Sequence, residues 1–217
     1  MSLASLHAQV RSTQYRGAMP PRSYRDAFVR RTATRLMRAQ VPLVCVQIVT
    51  VLCLAGLVPQ QPYAHGAEFF AGQEAVSNGL RTFGYITLSY DLEKNPTHDI
   101  TSDEGFCIAL IIALSVYDGG FGWLAPVCSS WIWMCCYRTG RSFFRPGGRP
   151  TLFVTTGNMI CARSMLVAAV MIAKGCMVVI GFVSFGQITA EHFKTCNIRR
   201  KNIIVRFSCL KTHPHES

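Results

Sequence analysis

Acidic residues are nearly missing from the first part of this chain. Up to Gln40 only Asp26 stands against Arg11, Arg16, Arg22, Arg25, Arg30, Arg31, Arg35 and Arg38. From Glu68 to Asp118 the bases are scarce instead, with Arg81 and Lys94 alone. The net charge of +11 is therefore carried by two cationic ends around a mildly acidic middle. A single basic nucleic-acid-binding domain would not be built this way. The chain also lacks any C-x-x-C pair among its 10 cysteines, and no histidine falls at zinc spacing from one. That argues against a zinc module or a disulfide framework. Cys45, Cys53, Cys107, Cys161 and Cys176 lie inside apolar runs, where they read as small buried hydrophobes in a reducing compartment. Internal repeats are absent too, which excludes a solenoid.

What is present is apolar. Half of the 217 residues are hydrophobic and the mean hydropathy is +0.25, enough for one domain with a real core. Residues 1–40 read as a basic arm, either disordered or with the composition of an organelle transit segment. Residues 41–58 carry no charge and form an apolar helix just long enough to span a membrane. Arginines on its N-terminal side would hold that side cytoplasmic. Pro42, Gln47 and Thr50 interrupt the run, so a buried helix is the competing reading. A second span from Met165 to Phe185 would place Lys174 in mid-membrane, at high cost. Pro59 and Pro62 break the chain before a new unit, 64–180.

That unit alternates. Ala67 to Gly72 reads as a strand entering a glycine turn, and Ala75 to Thr82 as a short helix closed by Gly84. Tyr85 to Tyr90 is a second strand, ended by Asp91. Strand, glycine turn, helix, strand, acid is the order of a nucleotide-binding βαβ unit, and the Gly72 to Asp91 separation is near the usual ~20 residues. Ser102 is placed to cap a helix over Phe106 to Val116, with Asp103 and Glu104 in its first turn. Asp118-Gly119-Gly120 ends that helix and leads into a buried strand reaching toward Trp131. Arg138, Arg141, Arg145 and Arg149 follow in a loop that either contacts phosphate or is simply solvated. A helix from Phe153 to Ala173, a stop at Gly175 and a strand over Cys176 to Ile180 complete an α/β pattern with a partial Rossmann-like parallel sheet and flanking helices.

The order of these motifs resembles the class I S-adenosylmethionine-dependent methyltransferases, and among them the DNA cytosine-5 methyltransferases. Their opening F-x-G-x-G-G is kept here only as Phe70 and Gly72 of Phe70-Ala71-Gly72-Gln73-Glu74-Ala75. Asp91 matches the acid ending their second strand, and Asp99 an acid in the next loop. Their Pro-Cys is matched by Pro126-Val127-Cys128, with one residue inserted. The run from Ala125 to Trp131, the arginine-rich loop and a helix with Asn158 and Arg163 also resemble a group of uncharacterised methyltransferase-like proteins. The resemblance implies S-adenosyl-L-methionine as cofactor, held by Phe70, Gly72, Asp91 and Asp99. It implies Cys128 as a nucleophile toward a nucleic-acid base, its thiol activated by Arg138 or Arg141. Ser129, Ser130, Arg138, Arg141 and Arg163 would face the substrate, and no metal is called for. The alternative for Cys128 is a structural thiol at a strand end. Other classes stay open: a small membrane-anchored protein, or a non-catalytic binding module.

After Ile180 the family pattern stops. No acid appears before Glu191, and residues 181–217 read as a divergent basic tail, as a truncation or an altered reading of the transcript would leave. Ile203 to Phe207 is the one strand candidate there. The expectation is that nothing beyond Ile180 extends the core in the family's manner, and that methyl transfer is weak or lost.

Overall fold

A computed structural model describes residues 22–126, 136–142 and 144–181, and the backbone of 203–206. The first described element, α1 (Arg22–Arg38), is followed by α2 (Leu43–Leu54). Then come β1 (Ala64–Phe69), α3 (Ala75–Thr82), β2 (Thr87–Tyr90), α4 (Asp103–Ser115) and β3 (Val116–Leu124). The short α5 (Cys136–Thr139), α6 (Leu152–Ala173), β4 (Met177–Gly181) and β5 (Ile203–Arg206) complete the order. The strands form one sheet in the order β2-β1-β3-β4-β5, and every neighbouring pair is parallel. This is a Rossmann-like α/β architecture, as the alternation of the sequence requires. Parallel strands need crossovers, and those crossovers are right-handed. That rule sets α3 on one face and α4 and α6 on the other, where α4 packs on α6.

Local sequence explains the main elements. Ser102 accepts the Gly105 N–H at 2.9 Å and caps α4, with Asp103 and Glu104 at the positive end of the helix. Thr151 caps α6 in the same way. β1 lies inside the sheet, between β2 and β3, and its Ala64, Ala67 and Phe69 are buried. β3 begins earlier than the glycine pair suggests. Its Val116 already pairs with Ala64, and the register then shifts so that Gly66 pairs with Phe121. Asp118-Gly119-Gly120 is therefore a bulge inside the strand rather than a helix stop. Gly119 takes φ +78, and a Cβ on Gly120 would lie 2.7 Å from the His65 carbonyl oxygen, so the bulge needs both glycines.

The expectation of a disordered arm up to Gln40 is corrected from Arg22 onward. Val29 and Leu36 are buried in α1, with Phe28 and Ala33 packed beside them. Spacings of one, four and three residues give one apolar stripe on a helix, which the many arginines hide from a composition-based reading. Arg35 ties α1 to the sheet: its Nε donates to the Ala173 carbonyl at 2.7 Å and its Nη1 pairs with Asp118 at 2.5 Å. α1 contacts α6 and α2 contacts α4, so both lie over the same helical layer.

The expected membrane span at 41–58 is corrected as well. Only 12 residues are helical, about 18 Å at ~1.5 Å each, against a hydrocarbon core of ~30 Å. One side of α2, with Cys45, Val46, Val49, Leu52 and Cys53, is buried in the core. The second span fails for a different reason. α6 stops at Ala173, Gly175 turns at φ +75, and 177–181 is a strand. α6 itself is the one helix among the described residues long and apolar enough to cross a membrane, yet Val154, Val167, Val170 and Met171 bury one side of it. β5 pairs with β4 from Val178↔Ile203 to Gly181↔Arg206. The one strand candidate after Ile180, Ile203 to Phe207, thus joins the sheet over Ile203–Arg206.

Candidate functional site

In open parallel sheets ligands sit at the carboxyl ends of the strands, near the point where strand order reverses. Here β2 lies on one side of β1 and β3 on the other. The ends are level, with Phe69 paired to Tyr90 and to Leu124. The loop leaving β1 is wound unusually tightly. Phe70, Gly72 and Glu74 have φ of +60, +47 and +54. Two of these are not glycine, and left-handed non-glycine residues persist only where the surroundings hold them. The hold is visible. The N–H groups of Phe70 and Ala71 donate to the Tyr90 carbonyl at 2.8 and 3.3 Å, and Glu74 N–H donates to the Ala71 carbonyl at 2.7 Å.

Asp91 completes the loop from the next strand. One carboxylate oxygen accepts the Gly72 N–H at 2.8 Å, and the other accepts the Glu93 N–H at 2.8 Å. The sequence thus singled out two residues, Gly72 and Asp91, that the fold brings into direct contact at the ends of adjacent strands. No atom lies within 4 Å of where a Cβ on Gly72 would stand. The glycine is demanded by backbone conformation and leaves the loop surface open there.

Three residues that sequence reasoning missed shape this site. Glu68 is buried in β1 and accepts the Ser77 N–H at 2.7 Å, holding the first turn of α3 against the strand. An acid inside an apolar strand was the available clue. Glu74 stands where the resembled motif has a glycine. Its backbone keeps the left-handed conformation, while its carboxylate pairs with Arg81 and Lys94, both at 2.7 Å. Those hydrogen bonds, Lys94 first and then Arg81, lower its pKa to about 2. His98 stacks on Tyr90 with ring centroids 4.7 Å apart, and its Nδ1 accepts the Asp91 N–H at 3.3 Å. Burial lowers the His98 pKa, opposed by the Asp91 charge, and the neutral ring is the one that can accept that hydrogen bond.

Other expected site residues are placed differently. The Asp99 carboxylate accepts from Thr101 N–H and Oγ1 at 2.8 and 2.7 Å, a local turn leading into α4. Arg163 is a brace rather than a substrate contact. It donates to the carbonyls of Ile100 and Ser102 at 3.0 and 2.6 Å, pairs with Asp103, and covers the Phe106 ring at 5.1 Å. Arg141 is likewise corrected: it is 8% exposed and donates to the Pro146 carbonyl and to Asn158 Oδ1, fastening its loop to α6. Arg138 is exposed. Cys128, Ser129 and Ser130 lie outside the described residues. β3 leads toward them from the same edge of the sheet, with Ala125 N–H donating to the Phe69 carbonyl at 3.2 Å. Among the described residues no group of three or more His, Cys, Asp or Glu is arranged to hold a metal ion.

Comparison with known proteins finds no matching family model, no matching curated protein and no matching solved structure.

Proposed function

We propose that the chain is an S-adenosylmethionine-binding protein of the methyltransferase-like α/β type, with weak or absent methyl transfer. The observation that carries this reading is the Asp91–Gly72 contact, in which a carboxylate ending β2 lies against the left-handed loop ending β1. A carboxylate at that place is suited to the two hydroxyls of a ribose, and an open glycine backbone to the methionyl part of the ligand. Phe70 opens the same loop, and Asp99 belongs to the loop expected beside the adenine. Cys128 is the proposed nucleophile toward a nucleic-acid base, with Ser129, Ser130 and Arg138 as proposed substrate contacts. Those roles rest on the resemblance of the 125–131 run.

Glu74 supports the weak side of the proposal. A methionyl carboxylate arriving at the loop has to compete with the Glu74 carboxylate for Lys94 and Arg81, both of which Glu74 already engages. The test is isothermal titration of the full chain with S-adenosylmethionine and S-adenosylhomocysteine. Asp91→Asn keeps an acceptor for the Gly72 N–H but removes the charge. Affinity is expected to fall about 10- to 100-fold, the worth of a hydrogen bond to a charged group. No measurable binding by the wild type, or equal affinity in the variant, would sink the reading.

A further inference from the structure

We propose that the α1–α2 hairpin docks on a membrane surface rich in anionic lipid, with its tip entering the boundary between head groups and acyl chains. The two helices pack on each other, and the turn between them leaves an unusual surface. From Met37 to Val44 every residue except Val41 is exposed. Met37 is 53%, Leu43 65% and Val44 55% accessible. The exposed side of α2 continues with Val51 and Leu54, and Gln47 is its one strongly polar member. No charge occurs anywhere from Val41 to Val58. A soluble helix of this kind normally turns a polar face to water.

The flanking helix has the opposite character. Its exposed positions Arg30, Arg31, Met37 and Arg38 recur at spacings that share one face of a helix. Arg35 is engaged by Asp118, but Arg30, Arg31 and Arg38 have no ion-pair partner among the described residues. Unpaired guanidinium groups beside exposed aliphatic side chains match a bilayer surface, which offers anionic head groups and hydrocarbon within a few ångströms of each other. A nucleic acid would satisfy the arginines but leave Leu43, Val44, Val51 and Leu54 wet. A second copy of the hairpin would set one uncompensated cationic helix against another. α2 is too short to cross the bilayer, so the docking is peripheral.

The experiment is co-sedimentation of the full chain with vesicles of phosphatidylcholine alone and of phosphatidylcholine mixed with phosphatidylserine. Binding is expected to the mixed vesicles and to weaken as salt is raised. Two double variants change exposed residues only, and unchanged circular dichroism confirms that they fold. Leu43→Gln with Val44→Gln is expected to lower partitioning on the order of tenfold, through loss of buried aliphatic surface. Arg31→Gln with Arg38→Gln is expected to lower it about fivefold per arginine. Absence of binding to mixed vesicles would overturn the proposal. So would equal binding to neutral vesicles, or unchanged binding by the glutamine pair at 43 and 44, which would mark unspecific adhesion by the basic ends.

Discussion

Lys174 illustrates how one residue can be read correctly for its cost and not for its place. Its charge inside an apolar run argues against a membrane span from the sequence alone. The sequence gives no sign that its Nζ reaches back some sixty positions to donate to the carbonyls of Leu114 and Val116. There it satisfies the C-terminal end of α4. Burial is the main cause that lowers its pKa to about 8 from 10.5. The sign follows from proton binding. Between those two values the unfolded chain holds the proton that the folded chain has released, so stability rises with pH across the window. Lys174→Met should cost about 1–3 kcal/mol, because two buried carbonyls lose their donor. It should also flatten that pH dependence, as read by urea denaturation at several pH values. An identical slope in the variant would show that Lys174 does not titrate in this way. Cys45, raised to about 11 by burial, is common to both proteins, whereas Cys53, raised to about 12 chiefly by burial, is also lowered by the Lys174 charge, so its contribution changes with the substitution. The same contrast holds at the site. Gly72 and Asp91 are legible because βαβ spacing is a local property. Glu68 and His98 are not, because their partners are fixed by tertiary contact.

At the scale of elements, the hairpin turn shows why α1 is hard to foresee. The helix closes with Gln40 N–H donating to the Met37 carbonyl at 2.9 Å and Val41 N–H to the Leu36 carbonyl at 3.0 Å. This is the paired closure in which the residue past the cap turns left-handed, and buried Leu36 and Val41 supply its apolar contact. Glycine commonly fills that position, but here Gln40 does, at φ +58. The stop is therefore invisible to a search for glycine. A left-handed non-glycine residue costs about 1–2 kcal/mol, of which the extra freedom of an unfolded glycine would take back about 0.5–1. Gln40→Gly is thus expected to stabilise the chain by about 0.5 kcal/mol, a rise of 1–2 °C or so in Tm for a domain of this size. A fall in Tm would contradict the strain assigned to this turn. α2 was misjudged in the opposite sense, since an uncharged run looks alike in a bilayer and in a core. Cys45, Val49 and Cys53 lie fully inward because α4 offers a surface to cover.

For the whole molecule, the alternation of strand and helix carries most of what was legible: a parallel α/β sheet, with the strand that follows Asp118-Gly119-Gly120, β3, in its middle. Register was not, because the bulge at 118–120 depends on how β3 meets β1. The order β2-β1-β3-β4-β5 also makes a graded prediction. β1 and β3 have hydrogen-bonded neighbours on both sides, whereas β2 has one. Amides of 64–69 and 121–124 should exchange with solvent most slowly, and those of 87–90 markedly faster. Hydrogen exchange read by mass spectrometry decides this, and equal protection in β2 would argue against its position at the edge.

The left-handed backbone at Glu74 has a consequence in the genetic code. A glutamate codon becomes a glycine codon by one base change, and the loop already has the shape that glycine favours. A bare backbone there would therefore require no refolding of the loop, only the loss of two ion pairs. Shape and charge at this position are separable, and a single mutational step divides a loop whose carboxylate engages Lys94 and Arg81 from one that leaves both cations to an anionic ligand.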